Sequence, residues 1–139
     1  MEEFYKLSIK EKLKGLTEST FSSQDLTESY LQRIKKVDKK LNSFITVLED
    51  KAIESARESD KRYKEGCSLP LDGIPIAHKD IFCTEGVLTT CGSKMLSNFI
   101  SPYSSTVVEN FLANGSVILG KTNMHEFAMG SSTETSYFG

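Results

Sequence analysis

One lysine of this sequence stands where a base can act on a small ligand. Lys79 follows the short apolar segment Ile74–Ala77 in LDGIPIAHKDIF, a segment that predicts a buried strand. In open α/β sheets, ligands and catalytic groups gather at the carboxyl ends of the strands. A lysine at such a place is expected to be partly desolvated, which favours the neutral amine that can accept a proton. The alternative is that Lys79 only forms a salt bridge with the neighbouring Asp80.

A second candidate segment, GKTNMHEFAMGSSTETS, begins at Gly120 directly after the apolar segment Ser116–Leu119. Two adjacent parallel strands would bring this segment and Lys79 to one crevice. The run Ala128-Met129-Gly130 would suit a pocket wall, because small residues let a ligand approach the backbone, although Met129 would equally suit plain core packing. The chain has neither a G-x-S-x-G motif nor an S-x-x-K pair. No serine is therefore identified as a nucleophile.

Helices and short strands must position these residues, and their order predicts an α/β fold with a buried parallel pair of strands. Ser8 and Glu11 form a capping box that predicts a helix start. The segment Gln24–Asp38 carries apolar residues at spacings of four, four and three, which predicts an amphipathic helix. A further helix is expected over Asp50–Lys64, with Gly66 as its left-handed C-terminal stop. Strands are expected over Phe44–Leu48, Ile74–Ala77 and Ser116–Leu119.

Another helix is predicted between the two apolar strands. Thr106 and Glu109 form a second capping box, and Gly115 is expected to end the helix. Between Cys67 and Ser105 the chain is rich in glycine and proline, which predicts long loops of the kind that carry function. The helix is expected to bury an apolar face made of Val107, Val108, Phe111 and Leu112.

The composition is that of a soluble globular protein. Of the 139 residues, 38% are hydrophobic and 26% are charged, and the formal net charge of −2 names no nucleic-acid partner. The basic side of the helix over 24–38 is interpreted as a solvated face rather than an RNA-binding patch. No apolar run reaches the roughly 20 residues that span a bilayer, and the first residues lack the pattern of a signal peptide. A cytoplasmic protein is expected.

The cysteines predict neither disulfides nor a metal site. Cys67, Cys83 and Cys91 are odd in number and contain no C-x-x-C pair. A metal site that combines them with His78 and His125 is the alternative, but scattered histidines and cysteines are common in cytosolic proteins. We predict free thiols and no bound metal.

Three segments together resemble the amidase signature family. They are LDGIPIAHKD, TTCGSKML and STVVENFLANGSVILGKTNMHEFAMGSSTETSYFG. The lysine motif and the GKTNMxEFAMG motif occur in the order and spacing of the family. His78 and Ile81-Phe82 depart from the residues that are common there. The resemblance implies the N-terminal part of an α/β/α layered mixed-sheet fold. Residues 1–139 would form one portion of a single amidase domain, with a helical segment over about 1–43 and the start of the α/β core over about 44–139.

The resemblance also implies a mechanism, namely amide hydrolysis by a Ser–cis-Ser–Lys triad. Lys79 stands at the position of the triad lysine, the terminal base of that mechanism. Ala128, Met129 and Gly130 match the segment that lines the acyl pocket of the family. Both triad serines would lie downstream of Gly139, so the chain is expected to be an N-terminal fragment that is inactive alone.

Within the family, the resemblance is to subunits that hydrolyse glutamine for tRNA-dependent amidation. It implies a heterotrimer with B and C subunits, in which the ammonia from glutamine converts Glu-tRNA(Gln) to Gln-tRNA(Gln). The chain itself would bind no cofactor, whereas ATP and Mg would be used by one of the partners. The alternatives are a stand-alone amidase for small amides and a non-enzymatic α/β binding module.

Overall fold

A computed structural model describes residues 4–139 and shows a three-stranded mixed sheet. Strands β1 (Phe44–Val47), β2 (Pro75–Lys79) and β3 (Val117–Thr122) lie in the order β1-β3-β2. β2 pairs with β3 in parallel and β1 pairs with β3 antiparallel. The α/β class and the parallel pair of strands are therefore confirmed.

Four α-helices accompany the sheet in the described part of the chain. The capping box of Ser8 and Glu11 is present, and a second one, of Ser22 with Asp25, starts the next helix at Ser23, just before the predicted Gln24. A left-handed Gly66 follows the third helix, as its sequence predicts. The helices are α1 (Ile9–Thr17), α2 (Ser23–Leu41), α3 (Glu49–Glu65) and α4 (Thr106–Ala113).

The start of α4 differs from its prediction. The N-cap residue is Ser105, which makes no side-chain capping bond, so the capping box of Thr106 and Glu109 is wrong. Of the predicted apolar face, Val108 is completely buried, whereas Val107 and Leu112 are 42% and 44% exposed. The reason is that an apolar face is buried only where another element covers it, and periodicity does not show which elements do so.

Helices α2 and α3 build the main core against the centre of the sheet. Leu31 of α2 and the small residues Ala52 and Ala56 of α3 pack on Val117 and Leu119 of β3. A second cluster, around Leu16, Leu26 and Ile74, joins α1 and α2 to the start of β2. These packed contacts fix the two parallel strands whose carboxyl ends carry the candidate residues.

An ion pair between the partly exposed Arg62 and the buried Asp72 holds the entry of β2. The guanidinium of Arg62 donates to both carboxylate oxygens of Asp72, at 2.8 and 2.6 Å, and this arrangement lowers the pKa of Asp72 despite its burial. The chain leaves the sheet after Lys79 in a long loop over 80–105, as the glycine and proline pattern predicts. None of the helices over 4–139 is long and apolar enough to cross a membrane.

Candidate active site

Lys79 is the last residue of β2 and lies at the carboxyl edge of the sheet, as predicted. Its Cα pairs with that of Thr122, the last residue of β3, so both strands end at one level. Along β2 the side chains of Ile76 and His78 are covered, whereas those of Ala77 and Lys79 are exposed. Lys79 therefore lies on the uncovered face of an edge strand, and the desolvation expected of it is not present in this chain.

The alternative that Lys79 pairs with Asp80 is wrong. Asp80 is completely buried, and its Oδ1 lies 3.2 Å from Nζ of Lys121, which is also completely buried. Its Oδ2 accepts hydrogen bonds from the backbone N–H and the hydroxyl of Thr90, at 2.8 and 2.5 Å. The carboxylate is thus held by the neighbouring strand and by the following loop.

Lys121 is a residue of this region that sequence reasoning missed. Its Nζ donates to the carbonyl oxygen of Phe82 at 2.8 Å and contacts Oγ1 of Thr89 at 3.0 Å. Burial lowers the pKa of Lys121, and the Asp80 carboxylate opposes that effect. The available signal is a lysine within a buried strand, directly after SVILG, where an ammonium group needs partners. Lys121 ties β3 to the loop that follows Lys79.

His78 is a buried ring beside this ion pair. Its imidazole lies edge-on to Phe111 of α4, with 5.6 Å between the ring centroids. Burial, and then the charge of Lys121, lowers the pKa of His78 and so favours the neutral ring. Its Nε2 has no hydrogen-bond partner among residues 4–139. His78 therefore packs as a neutral ring next to the candidate lysine.

Ala128, Met129 and Gly130 lie in a tight turn after β3. Phe127 and Ala128 have φ angles of +50° and +59°, in the left-handed region that residues with a Cβ rarely occupy. Met129 is 82% exposed, so the alternative that it packs in the core is wrong. A Cβ on Gly130 would clash with the ring of His125, so the turn needs glycine there. The expected pocket wall has a sharply defined backbone.

The segment Thr90–Ser93 connects the two candidate parts. At one end, Thr90 binds the carboxylate of Asp80, the residue after Lys79. At the other end, the hydroxyl of Ser93 donates to Oε1 of Glu126 at 2.5 Å, and the carbonyl oxygen of Cys91 accepts from the N–H of Phe127 at 2.9 Å. The segment thus contacts both the end of β2 and the turn after β3.

Ser132 is the serine with a histidine contact in the loop after the turn. Its hydroxyl lies 3.5 Å from Nε2 of His125, beyond the reach of about 2.6–3.2 Å over which a base takes a proton. The other ring nitrogen of His125 lies 2.7 Å from Oγ1 of Thr135. These contacts hold the loop on the histidine ring and do not build an activated nucleophile.

The three cysteines carry no disulfide, and burial raises the pKa of the Cys91 thiol. Over residues 4–139, no group of three or more His, Cys, Asp or Glu side chains is arranged to hold a metal ion.

Comparisons with known proteins show which family the chain belongs to. The model of the Amidase family matches residues 25–139. The A subunit of the glutamyl-tRNA(Gln) amidotransferase of Hahella chejuensis is 55% identical over 132 residues, and that of Acinetobacter baumannii is 54% identical over 139 residues. The matches cover 95% and 100% of this chain, which spans 27% and 28% of the length of those relatives.

Solved structures of the same family match the fold. Peptide amidase from Stenotrophomonas maltophilia has a TM-score of 0.84 at 30% identity, over 90% of this chain and 26% of its own. The A subunit of the glutamyl-tRNA(Gln) amidotransferase of Thermotoga maritima has a TM-score of 0.77 at 35% identity, over 99% of this chain and 27% of its own. The family model, the relatives and the shared fold agree, and the chain belongs to the amidase signature family.

Proposed function

We propose that this chain is the N-terminal part of the glutamine-hydrolysing A subunit of a glutamyl-tRNA(Gln) amidotransferase. The observation that carries the proposal is the 54–55% identity to such subunits over nearly the whole chain, against 30% identity to the peptide amidase. The position of Lys79 at the end of β2 supports it, because a strand end is where the triad lysine of the family is expected. The whole sequence over 1–139 then belongs to a single amidase domain.

In the proposed reaction, Lys79 is the terminal base of a Ser–cis-Ser–Lys triad. A serine hydroxyl attacks the side-chain amide carbon of glutamine, and its proton passes through the bridging serine to the neutral amine of Lys79. The C–N bond then breaks, and the amide nitrogen takes up a proton and leaves as ammonia. Water hydrolyses the acyl-enzyme to glutamate. Both serines belong to the part of the enzyme downstream of Gly139.

The turn over Ala128, Met129 and Gly130 would line the pocket for the acyl part of glutamine. Its support is structural: the turn follows β3 at the carboxyl edge of the sheet, and Met129 and Gly130 are exposed there.

The ammonia would be used by partner subunits rather than by this chain. In the proposed assembly, B and C subunits complete a cytoplasmic heterotrimer, and one of them binds ATP and Mg and activates Glu-tRNA(Gln). No cofactor would be bound by the present chain. This arrangement predicts that the enzyme releases free ammonia when its partner subunits are absent. When they are present, the ammonia is transferred to the activated Glu-tRNA(Gln).

A stand-alone amidase for small amides is the second candidate function. Its support is the structural similarity to peptide amidase and to an aryl acylamidase, with TM-scores of 0.84 and 0.90. The same lysine would serve either substrate class. Recognition of the amino-acid end of glutamine, rather than amide cleavage itself, distinguishes the two functions.

The test uses the full-length enzyme, with and without its partner subunits. Ammonia release from glutamine and from a small aryl amide is measured for the wild type, for Lys79→Ala and for Lys36→Ala, a change of an exposed lysine on α2. Lys79→Ala should lower glutamine hydrolysis by at least about a hundredfold, the low end of what a general base contributes. Normal turnover of folded Lys79→Ala would overturn the assignment, and cleavage of the aryl amide alone would favour the second function.

A further inference from the structure

The TTCGS segment, residues 89–93, has contacts that the proposed reaction does not explain. It belongs neither to a helix nor to a strand, yet Thr89, Thr90 and Ser93 are buried. Gly92 packs so closely on the carbonyl oxygen of Met124 that a Cβ would lie 2.6 Å from it. Such tight packing indicates that the segment supports a neighbouring part of the structure.

That neighbouring part is the strained turn at Phe127 and Ala128. Two successive residues with a Cβ in the left-handed region are unfavourable by themselves, so the surrounding contacts must hold them. Sequence gives no reason for the conformation, because neither residue is glycine, asparagine or aspartate. Inside the turn, the N–H groups of Ala128 and Met129 bond back to the carbonyl oxygens of His125 and Glu126.

Three bonds from outside the turn hold it. The N–H of Glu126 donates to Oγ1 of Thr135 at 3.2 Å, and the other two bonds come from the 89–93 segment. The carbonyl oxygen of Cys91 accepts from the N–H of Phe127 at 2.9 Å, and the hydroxyl of Ser93 donates to the carboxylate of Glu126 at 2.5 Å. A hydrogen bond to a charged group is about twice as strong as a neutral one. Glu126 precedes the strained residues directly, so fixing its side chain fixes the entry of the turn.

We propose that Glu126 and Ser93 are positioning residues, whose hydrogen bond holds the strained Phe127-Ala128 turn so that Met129 and Gly130 face the substrate. The inference rests on the proposed function, and it adds a role for a carboxylate that does not itself take part in proton transfer. Because Thr90 in the same segment binds Asp80 beside Lys79, the segment sets the substrate turn and the lysine relative to each other.

The strain makes the proposal testable by a cycle of variants in the full-length enzyme. Glu126→Ala removes the acceptor, and Glu126→Gln keeps an oxygen for the Ser93 hydroxyl. Ala128→Gly removes the left-handed strain at one of the two strained residues. Glu134→Ala, which changes an exposed carboxylate of the same loop, is the matched control. KM and kcat for glutamine are measured for each, together with hydrogen exchange of the Phe127 and Met129 amides.

Glu126→Ala should raise KM about tenfold or more, the effect of losing a hydrogen bond to a charged group, with a smaller change in kcat. Its Phe127 and Met129 amides should exchange faster, whereas Glu126→Gln should retain most of the wild-type KM. In the Ala128→Gly background, Glu126→Ala should raise KM less, since the strain at residue 128 is gone and only that at Phe127 is left to hold.

An unchanged KM and unchanged exchange in Glu126→Ala would overturn the proposal, as would an equal loss with and without Ala128→Gly. Should Glu126→Ala fail to fold, Ser93→Ala removes the same bond from its other side and must show the same dependence on Ala128→Gly. A wild type without glutamine hydrolysis would refute the proposed function instead, and hydrogen exchange would still report whether Glu126 holds the turn.

Discussion

Replacing Lys121 by methionine should destabilise the protein severely, although the residue is a lysine outside the proposed triad. The change leaves the Asp80 carboxylate buried with only the bonds from Thr90, and it removes the contacts to Phe82 and Thr89. At 3.2 Å, two unit charges attract by about 5 kcal/mol with an effective dielectric constant of about 20. Loss of one partner of such a buried pair costs about 3–5 kcal/mol.

The double variant Asp80→Asn/Lys121→Met distinguishes the ion pair from mere packing. It removes both charges, so its cost should be well below the sum of the two single changes, with a coupling of at least about 1 kcal/mol. Urea unfolding followed by circular dichroism gives the free energies, and Lys61→Met, at an exposed ion pair with Glu58, is the matched control with little expected effect. Additive costs, or a Lys121→Met effect no larger than that of the control, would refute the reasoning.

Two further predictions concern acid sensitivity and the isolated chain. Because burial and then Lys121 lower the pKa of His78, the unfolded chain binds the extra proton more readily, and stability should fall as the pH drops below the unfolded value of 6.5. His78→Phe should lose less stability than the wild type between pH 8 and pH 5, and equal losses in urea midpoints would contradict this. Residues 1–139 alone should release no ammonia from glutamine and form no acyl adduct, since no serine lies in a nucleophile motif. A covalent adduct on a serine of 131–136, seen by intact mass, would show that the nucleophile is within this chain.

Local signals account for most of the fold that can be predicted from the sequence. The Ser8 capping box, the apolar stripe of α2 and the glycine after α3 depend on residues a few positions apart, and all three are confirmed. The capping box at Thr106 fails because Ser105 precedes it and takes the N-cap position. Neighbouring residues of similar capping preference leave the start of a helix open by one residue.

The candidate site also contains one feature that local sequence predicts and others that depend on distant contacts. Lys79 is found because a short apolar strand and a lysine are adjacent in sequence, but its exposed side depends on which face of β2 is covered. The pairing of Asp80 with Lys121 joins residues far apart in the chain, and no local pattern announces it. The left-handed conformation of Phe127 and Ala128 cannot be predicted from the sequence for another reason. Contacts from the 89–93 segment hold a conformation that these residue types disfavour.

The order of the strands has a consequence for how the protein forms during synthesis. β3 is the central strand, and both β1 and β2 bond to it and not to each other. A ribosome therefore exposes two strands with unpaired backbone groups before the strand that pairs them has been made. Until Thr122 has left the exit tunnel, only the helices can make the nascent chain compact. Ribosome pausing ahead of β3 would therefore prolong the time during which chaperones can bind the unpaired strand edges.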